Sequence, residues 1–359
     1  MKRIAHLITQ SVFTVGYINF MKMNMTEYDH VFVILAWNDV KIKEKMLVDR
    51  EQVLYCTDIN ELRFRGEILN NVLTGVDKII VSGVFGAETG IFFWPKHMLN
   101  KVYLQYWGGD FYQLREKFPI RDIKKKIWRY ILKDVYKRTR GAIFLIEGEY
   151  GKYKEITGIT KKEVYIAPVP SDPNSEFPFY KYVMPNGHSV VRIVVGNSAT
   201  EENMHIEALT KLAKFREKNI EVFCPLSYGD KEYGKKIAAY GKKIFGNKFH
   251  PILDWMEQNE YYSFLATCDI GIFANNRQQA MGNISALLRM GKKVYLRKDT
   301  SMYKNYIKIG CICYDIDYLP EMSYDEFLSN PQYEQTAKKI NEWYSIDKIK
   351  KQWNKVLEA

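Results

Sequence analysis

Short apolar runs alternate with longer segments of helical spacing along the whole chain. In the first half the runs are 4–8, 31–36, 53–56, 78–81, 102–106, 141–146 and 164–167, with helical spacing after 16 and over 63–73. In the second half they are 190–195, 221–224, 250–253, 268–274 and 293–296, with helical spacing over 201–215, 230–245, 261–267 and 284–290. Thr200 stands where the cap of the 201–215 helix belongs, with acids in the first turn. Strands that alternate with helices imply βα units and parallel sheets. Between the two series Pro168, Pro170, Pro173 and Pro178 disfavour helix and strand alike, so a linker and a domain boundary are expected between about 170 and 188. The expectation is an α/β protein of two doubly wound domains, 1–180 and 181–330, with a terminal helix in 331–359 anchored by Ile340, Trp343, Tyr344 and Trp353.

One segment departs from this pattern. Over 121–140, Ile123, Ile127, Ile131 and Val135 recur every fourth residue among Lys124, Lys125, Lys126, Arg129, Lys133, Lys137, Arg138 and Arg140. This reads as a basic amphipathic helix. Its apolar stripe is expected to pack inward on the sheet and its basic face to meet anionic lipid headgroups.

Composition narrows the options. The 359 residues are 47% hydrophobic, enough for two ordinary cores. The formal net charge of +11 suits an acidic partner: nucleic acid, an anionic membrane face or a phosphorylated ligand. Five scattered cysteines show no zinc spacing and read as reduced, buried thiols of a cytoplasmic protein. The basic-then-apolar start is too short for a signal-peptide core, and no stretch approaches the roughly 18 apolar residues of a membrane span. Any membrane contact is therefore expected to be peripheral, on the inner face. No Gly-x-Gly-x-x-Gly follows the first strand and no Walker loop is present, which disfavours dinucleotide enzymes and nucleoside triphosphatases.

The candidate chemistry lies in loops at strand ends, where open parallel sheets bind ligands. Arg277-Gln278-Gln279-Ala280-Met281-Gly282-Asn283 joins the 268–274 strand to a helix that stops at Gly291. A helix N-terminus favours a phosphate, and Arg277 adds a forked cation. Gln278, Gln279 and Asn283 add neutral donors, and Gly282 permits close approach. The stretch fits a diphosphate cradle, and it fits a polar turn with a helix cap. Gly196, Asn197 and Ser198, and Pro225 with Tyr228, end two further strands and would share the same crevice. His205, on the helix that follows, fits a ligand contact or a local structural bond. In the first half the loops 82–90 and 107–112 place glycines around Glu88 and Asp110. Asp110 fits a catalytic base or a helix N-cap. Trp107 offers a flat face to a sugar, and Gly16, Trp107 and Gly108 are expected on the acceptor side.

Gly196-Asn197-Ser198 followed by His205-Ile206-Glu207-Ala208-Leu209 resembles the signature of the N-acetylfucosamine (4-acetamido-4,6-dideoxygalactose) transferases of enterobacterial common antigen synthesis, a 4-alpha-L-fucosyltransferase family. Arg277-Gln278-Gln279-x-x-Gly282, Trp107-Gly108-x-Asp110-x-Tyr112 and Pro225-Leu226-Ser227-Tyr228 are similar to three more of its elements, in the same order over about 100–330. Ser227 stands where the family has glycine, and residues 1–95 match poorly. The resemblance implies the GT-B glycosyltransferase fold, two Rossmann-like domains facing a cleft. It also implies a thymidine diphosphate sugar donor, a polyprenyl-diphosphate-linked saccharide acceptor, and no metal or other cofactor. Donor contacts would fall on Gly196, Asn197, Ser198, Pro225, Tyr228, Arg277, Gln278, Gln279, Gly282 and Asn283, with Asp110 or Glu88 as the base. The rivals are a transferase of the same fold using a uridine diphosphate sugar, a glycan-binding protein without catalysis, and a basic nucleic-acid-binding protein. For the last of these no recognised motif is present.

Overall fold

A computed structural model describes residues 1–36, 53–63, 66–84, 86–115, 122–170 and 190–359. Pro173, Pro178, Phe85 and Arg121, which entered the expectations above, lie outside the described residues. The chain forms two compact units, 1–175 with 346–359, and 176–345.

The first unit holds β1 (Arg3–Thr9), β2 (Asp29–Leu35), β3 (Val53–Cys56), β4 (Lys78–Ser82), β5 (Val102–Tyr106), β6 (Gly141–Phe144) and β7 (Glu163–Ile166). They form one sheet in the order β3-β2-β1-β4-β5-β6-β7, with every pairing parallel. The second unit holds β8 (Val191–Val195), β9 (Ile220–Pro225), β10 (Phe249–Ile252), β11 (Ile270–Phe273), β12 (Lys293–Leu296) and β13 (Tyr314–Asp315), in the parallel order β10-β9-β8-β11-β12-β13. Strands β4, β5, β6, β11 and β12 are buried at every position, as expected where helices cover both faces of a parallel sheet. Each unit has its own apolar core. Both sheets reverse their strand order at one place, between β1 and β4 and between β8 and β11, which is where open α/β sheets hold ligands.

The helices depart from the sequence pattern in four places. The single helix expected over 333–357 is two helices, Tyr333–Trp343 and Ile346–Glu358, and the second belongs to the first unit. There the Trp353 indole donates to the Pro168 carbonyl (3.0 Å) and meets Tyr17 edge-on at 5.4 Å. Gly16 is not in a loop: it is buried in the first turn of the helix Thr14–Asn24. Thr200 does not cap a helix over 201–215. A 3₁₀ turn, Glu201–Asn203, comes first, and the helix starts at His205.

The fourth departure is the basic helix, Ile123–Arg138. Leu132, Val135 and Tyr136 are buried, but Ile123 and Ile127 are 67% and 55% exposed. Successive helical residues are about 100° apart, so a row of every fourth residue drifts about 40° per step. Ile123, Ile127, Ile131 and Val135 therefore wind from the solvent side to the core side rather than forming one inward stripe. No helix among the described residues is long and apolar enough to cross a membrane.

Two buried histidines tie the first strands together. The His30 Nε2 atom lies 2.9 Å from the Met25 carbonyl, which only accepts, so Nε2 carries the proton. His30 Nδ1 then accepts from His6 Nε2 (2.8 Å), and His6 Nδ1 accepts from the Tyr17 hydroxyl (2.8 Å). With these donors both rings are neutral, as burial favours. Burial, followed by the neighbouring His30, holds His6 well below the usual histidine range.

Candidate functional site

In the second unit the polar ends of β8, β9 and β11 are sewn together. The chain leaves β8 at Gly196 with φ 69°, and a Cβ there would lie 2.4 Å from His205 Nε2. His205 is buried, bonds the Tyr233 hydroxyl through Nδ1 (3.2 Å) and is lowered by burial to about 4, so the ring is neutral. It enforces glycine at 196, and its buried Nε2 carries no hydrogen-bond partner.

Asn203 is the hub. Its Oδ1 accepts from the Asn197 backbone N–H (3.0 Å) and from Asn275 Nδ2 (3.1 Å). Its Nδ2 donates to Thr200 Oγ1 (2.8 Å) and Ser198 Oγ (3.0 Å). Gln279 closes the ring, donating through Nε2 to Thr200 Oγ1 (3.0 Å) and Ser198 Oγ (3.3 Å) while its Oε1 accepts from Asn275 Nδ2 (3.1 Å). Asn197 Nδ2 donates to the Tyr228 hydroxyl (2.6 Å), which brings in the end of β9. The network consists of amides and hydroxyls. Two of its buried atoms, Asn197 Oδ1 and Asn275 Oδ1, carry no protein partner, and neither does Nε2 of the adjacent buried Gln278. Buried polar atoms are seldom left so, because each costs about 1–3 kcal/mol of desolvation.

The helix Met281–Arg289 starts beside this network. No side-chain hydrogen bond caps it, so the turn 275–280 is polar without supplying a helix cap. The residue before it, Ala280, has φ 57°, and the residue before His205, Met204, has φ 52°. Among the described residues these are the two non-glycine positions of positive φ. An L residue pays about 1–2 kcal/mol in that region, and both instances lie where a helix begins at the candidate site. Arg277 is held at Nε by Glu202 Oε1 (3.4 Å) and at Nη1 by the Gln278 carbonyl (3.0 Å), with its side chain 14% exposed. Gly282 has open space where a Cβ would be. Asn283 donates to the Tyr261 hydroxyl (2.7 Å). Pro225 is buried as the last residue of β9 and makes no polar contribution. Uncapped N–H groups, a restrained guanidinium and neutral amides are suited to a phosphate-bearing ligand.

In the first unit the ends of β4 and β5 meet around Asp110. Its Oδ2 accepts from the backbone N–H groups of Trp107 (3.1 Å) and Val84 (3.2 Å), which joins the two loops. Gly108 (φ 102°), not Asp110, precedes the short helix Gly109–Tyr112, so Asp110 is not its N-cap. Asp110 is fully buried, its Oδ1 carries no partner, and burial raises the carboxyl to about 6 against the pull of those N–H groups. Glu88 is also buried, accepts from the Trp128 indole (3.3 Å) and is raised by burial, with Asp110 adding to the shift. Trp107 is half-buried. Its indole donates to Ser82 Oγ (3.2 Å), and its ring lies edge-on to Phe13 at 6.0 Å. Gly16 lies in the first turn of its helix, just after the loop that follows β1.

Of the residues chosen from sequence, Asn197, Ser198, Tyr228 and Gln279 thus fall into one network, with Arg277 and Gln278 next to Gln279 along the chain and Asn283 one turn further on. Asn203, Asn275, Thr200 and Glu202 were missed as site residues. Their signal was the density of Asn, Gln, Ser and Thr at three strand ends, which the helix-cap reading of Thr200 concealed. Among the described residues no group of three or more His, Cys, Asp or Glu converges as a metal site.

Solved structures share the architecture. A glycosyltransferase from Rickettsia africae is 13% identical with a TM-score of 0.63, the match covering 99% of this chain and 97% of that one. The lipopolysaccharide outer core galactosyltransferase WaaB gives 11%, 0.64, and 99% of each chain. Anabaena HepE, solved with UDP and glucose, gives 11%, 0.65, and 100% of each chain. At such identities the likeness establishes the fold, the two-domain GT-B type. The model of glycosyl transferase group 56, 4-alpha-L-fucosyltransferase, matches residues 91–356, which takes in the second-unit network together with Trp107 and Asp110 of the first, and the chain belongs to that family of nucleotide-sugar glycosyltransferases.

Proposed function

We propose that this enzyme moves a 4-acetamido-deoxyhexose from a thymidine diphosphate sugar to a polyprenyl-diphosphate-linked saccharide in surface polysaccharide synthesis, at the inner face of the plasma membrane. The observation that carries the reading is the neutral amide network beside Arg277 and the uncapped helix Met281–Arg289. In glycosyl transfer the acceptor oxygen bonds to the anomeric carbon as the bond to the diphosphate breaks, and negative charge gathers on the leaving diphosphate. Arg277 and the free N–H groups answer that charge, the task a metal ion performs in other sites. The amides and hydroxyls do not repel the donor, and the one carboxylate bonded to Arg277 is that of Glu202.

Asp110 takes the proton from the acceptor hydroxyl, with Glu88 as the second candidate. A carboxyl near 6 is a better-matched base at neutral pH than an ordinary one. Because Asp110 is enclosed, this role requires the loops that bear Val84 and Trp107 to part when acceptor binds. Trp107 and Gly108 lie beside it on the acceptor side. Gly16, in the first turn of the helix Thr14–Asn24, completes the acceptor side in this reading.

Calorimetry with thymidine diphosphate tests the donor reading: the wild type binds, and Arg277→Ala weakens binding about 10- to 100-fold, the range for a hydrogen bond to a charged group. Unchanged affinity in the variant removes the cradle. A uridine diphosphate donor is the second reading, favoured by the UDP present in the HepE structure. Tighter binding of uridine diphosphate than of thymidine diphosphate selects it.

A further inference from the structure

The outward side of the helix Ile123–Arg138 carries apolar residues where a solvated helix carries polar ones. At about 100° per residue, Ile123, Ile127 and Tyr130 fall within about 60° of one another, opposite the buried Leu132, Val135 and Tyr136. They are 67%, 55% and 65% exposed. The face continues beyond the helix. Tyr130 meets the Phe92 ring edge-on at 6.3 Å, and Phe92 meets Phe93, itself 58% exposed, at 5.2 Å. Lys126, Lys133 and Lys137 flank the apolar row on one side and Lys124 lies on the other, all of them exposed. Asp134, on the same side of the helix, is neutralised by Arg138.

We propose that this face docks on an anionic bilayer by inserting Ile123, Ile127, Tyr130 and Phe93 between headgroups while the flanking lysines bind lipid phosphates. The helix has two apolar faces: one holds the sheet, and the other is exposed apart from the contact of Tyr130 with Phe92 among the described residues. Exposed apolar side chains ringed by lysine match the two components of an interfacial surface, acyl chains beneath and anionic headgroups around. Net positive charge disfavours a second copy of this chain as the occupant, since like faces would repel. Docking rests on the reading above only in needing a lipid-borne acceptor nearby, and its test is independent of catalysis.

The test is co-sedimentation of the full chain with vesicles of phosphatidylcholine containing one third phosphatidylglycerol. The wild type is expected to bind, and part of the binding is expected to survive high salt, because apolar insertion is not screened. Ile123→Ser/Ile127→Ser/Tyr130→Ser should lower partitioning at least tenfold and leave a residue that salt abolishes. Ile127→Trp should raise partitioning, since tryptophan favours the headgroup level. Phe93→Ser alone should give a smaller loss. The proposal is overturned if the wild type does not sediment with the vesicles, if the triple variant partitions like wild type, or if salt removes all binding. It is equally overturned if the wild type is a dimer that the triple variant dissociates. Thymidine diphosphate affinity should be the same in all variants, so failure of donor binding in the wild type counts against the transferase reading and leaves the docking result standing.

Discussion

The two units use one strand order and one switch point for opposite chemistry. At the ends of β4 and β5 the polar groups are acids, Asp110 and Glu88, buried and raised towards neutrality. At the ends of β8 and β11 they are amides and hydroxyls beside an arginine. In the first unit the backbone N–H groups of Val84 and Trp107 are already occupied by an internal carboxylate. In the second, a helix start is left without a side-chain cap and three buried amide atoms are left without partners. One crevice has supplied its own anion, and in the proposed reading the other receives one from the donor. A shared topology therefore says where a ligand sits, and the local charge says what kind.

The largest effect expected of that contrast is a crossed pair of variants. Asp110→Asn should lower turnover by about 10²-fold or more, in keeping with loss of a general base, and leave thymidine diphosphate affinity unchanged. Arg277→Ala should do the reverse in part, weakening the diphosphate first. Because Asp110 also joins two loops, Asn at 110 must be checked for an unchanged melting profile. Near-wild-type turnover by a folded Asp110→Asn protein ends its assignment as base. Weakened donor binding in that variant would mean that the two crevices are not separable in role.

Acid titration sharpens the same contrast with smaller effects. His205 is held to about 4 against an ordinary 6.5, so between those values the unfolded chain binds a proton that the folded one refuses. Stability from this group is complete above about 6.5 and is lost as pH falls towards 4. His6 and His30 act in the same direction. Asp110 runs the other way. Its folded carboxyl, near 6, keeps a proton that the unfolded one, near 3.8, has released, so its contribution is lost as pH rises through that window. Each pKa unit corresponds to about 1.4 kcal/mol. Melting curves between pH 4 and 7 should therefore show stability falling on acidification, less steeply for His205→Gln and more steeply for Asp110→Asn. A slope unchanged by Asp110→Asn means that its carboxyl is not protonated in that range.

The alternation of apolar runs is sufficient to place β1 to β12 and to call for two parallel sheets, because buried strands leave a plain signal, whereas β13, two half-buried residues long, leaves none. It also placed Arg277, Gln278, Gln279 and Asn197 at strand ends. What it misread depended on side chains choosing between local and distant partners. Thr200 has the chemistry of an N-cap, yet its hydroxyl is taken by Asn203 and Gln279. Asp110 follows a glycine at a helix start, yet its carboxylate turns back to Trp107 and across to Val84. The isoleucines of the basic helix were read as a stripe because a spacing of four was treated as a closed period, when the helix overshoots it by a tenth of a turn. The partnership of Asn203 with Asn275 spans 72 residues and has no sequence signal beyond an excess of asparagine.

The smallest expected effect concerns the ion pair between Glu202 and Arg277. At 3.4 Å, with the Glu202 side chain 43% exposed, it belongs with pairs that contribute about 1 kcal/mol or less. Arg277 keeps a second anchor in the Gln278 carbonyl, so its placement does not depend on Glu202. The Glu202 carboxylate, however, is the acid nearest the guanidinium among its bonded partners, and it opposes an arriving diphosphate at a distance where screened repulsion is also about 1 kcal/mol. Glu202→Gln should therefore tighten thymidine diphosphate binding by a few-fold, and the gain should shrink as salt is added. If binding instead weakens, Glu202 is a positioning residue for Arg277, and the second crevice is less purely neutral in its working parts than its amide network suggests.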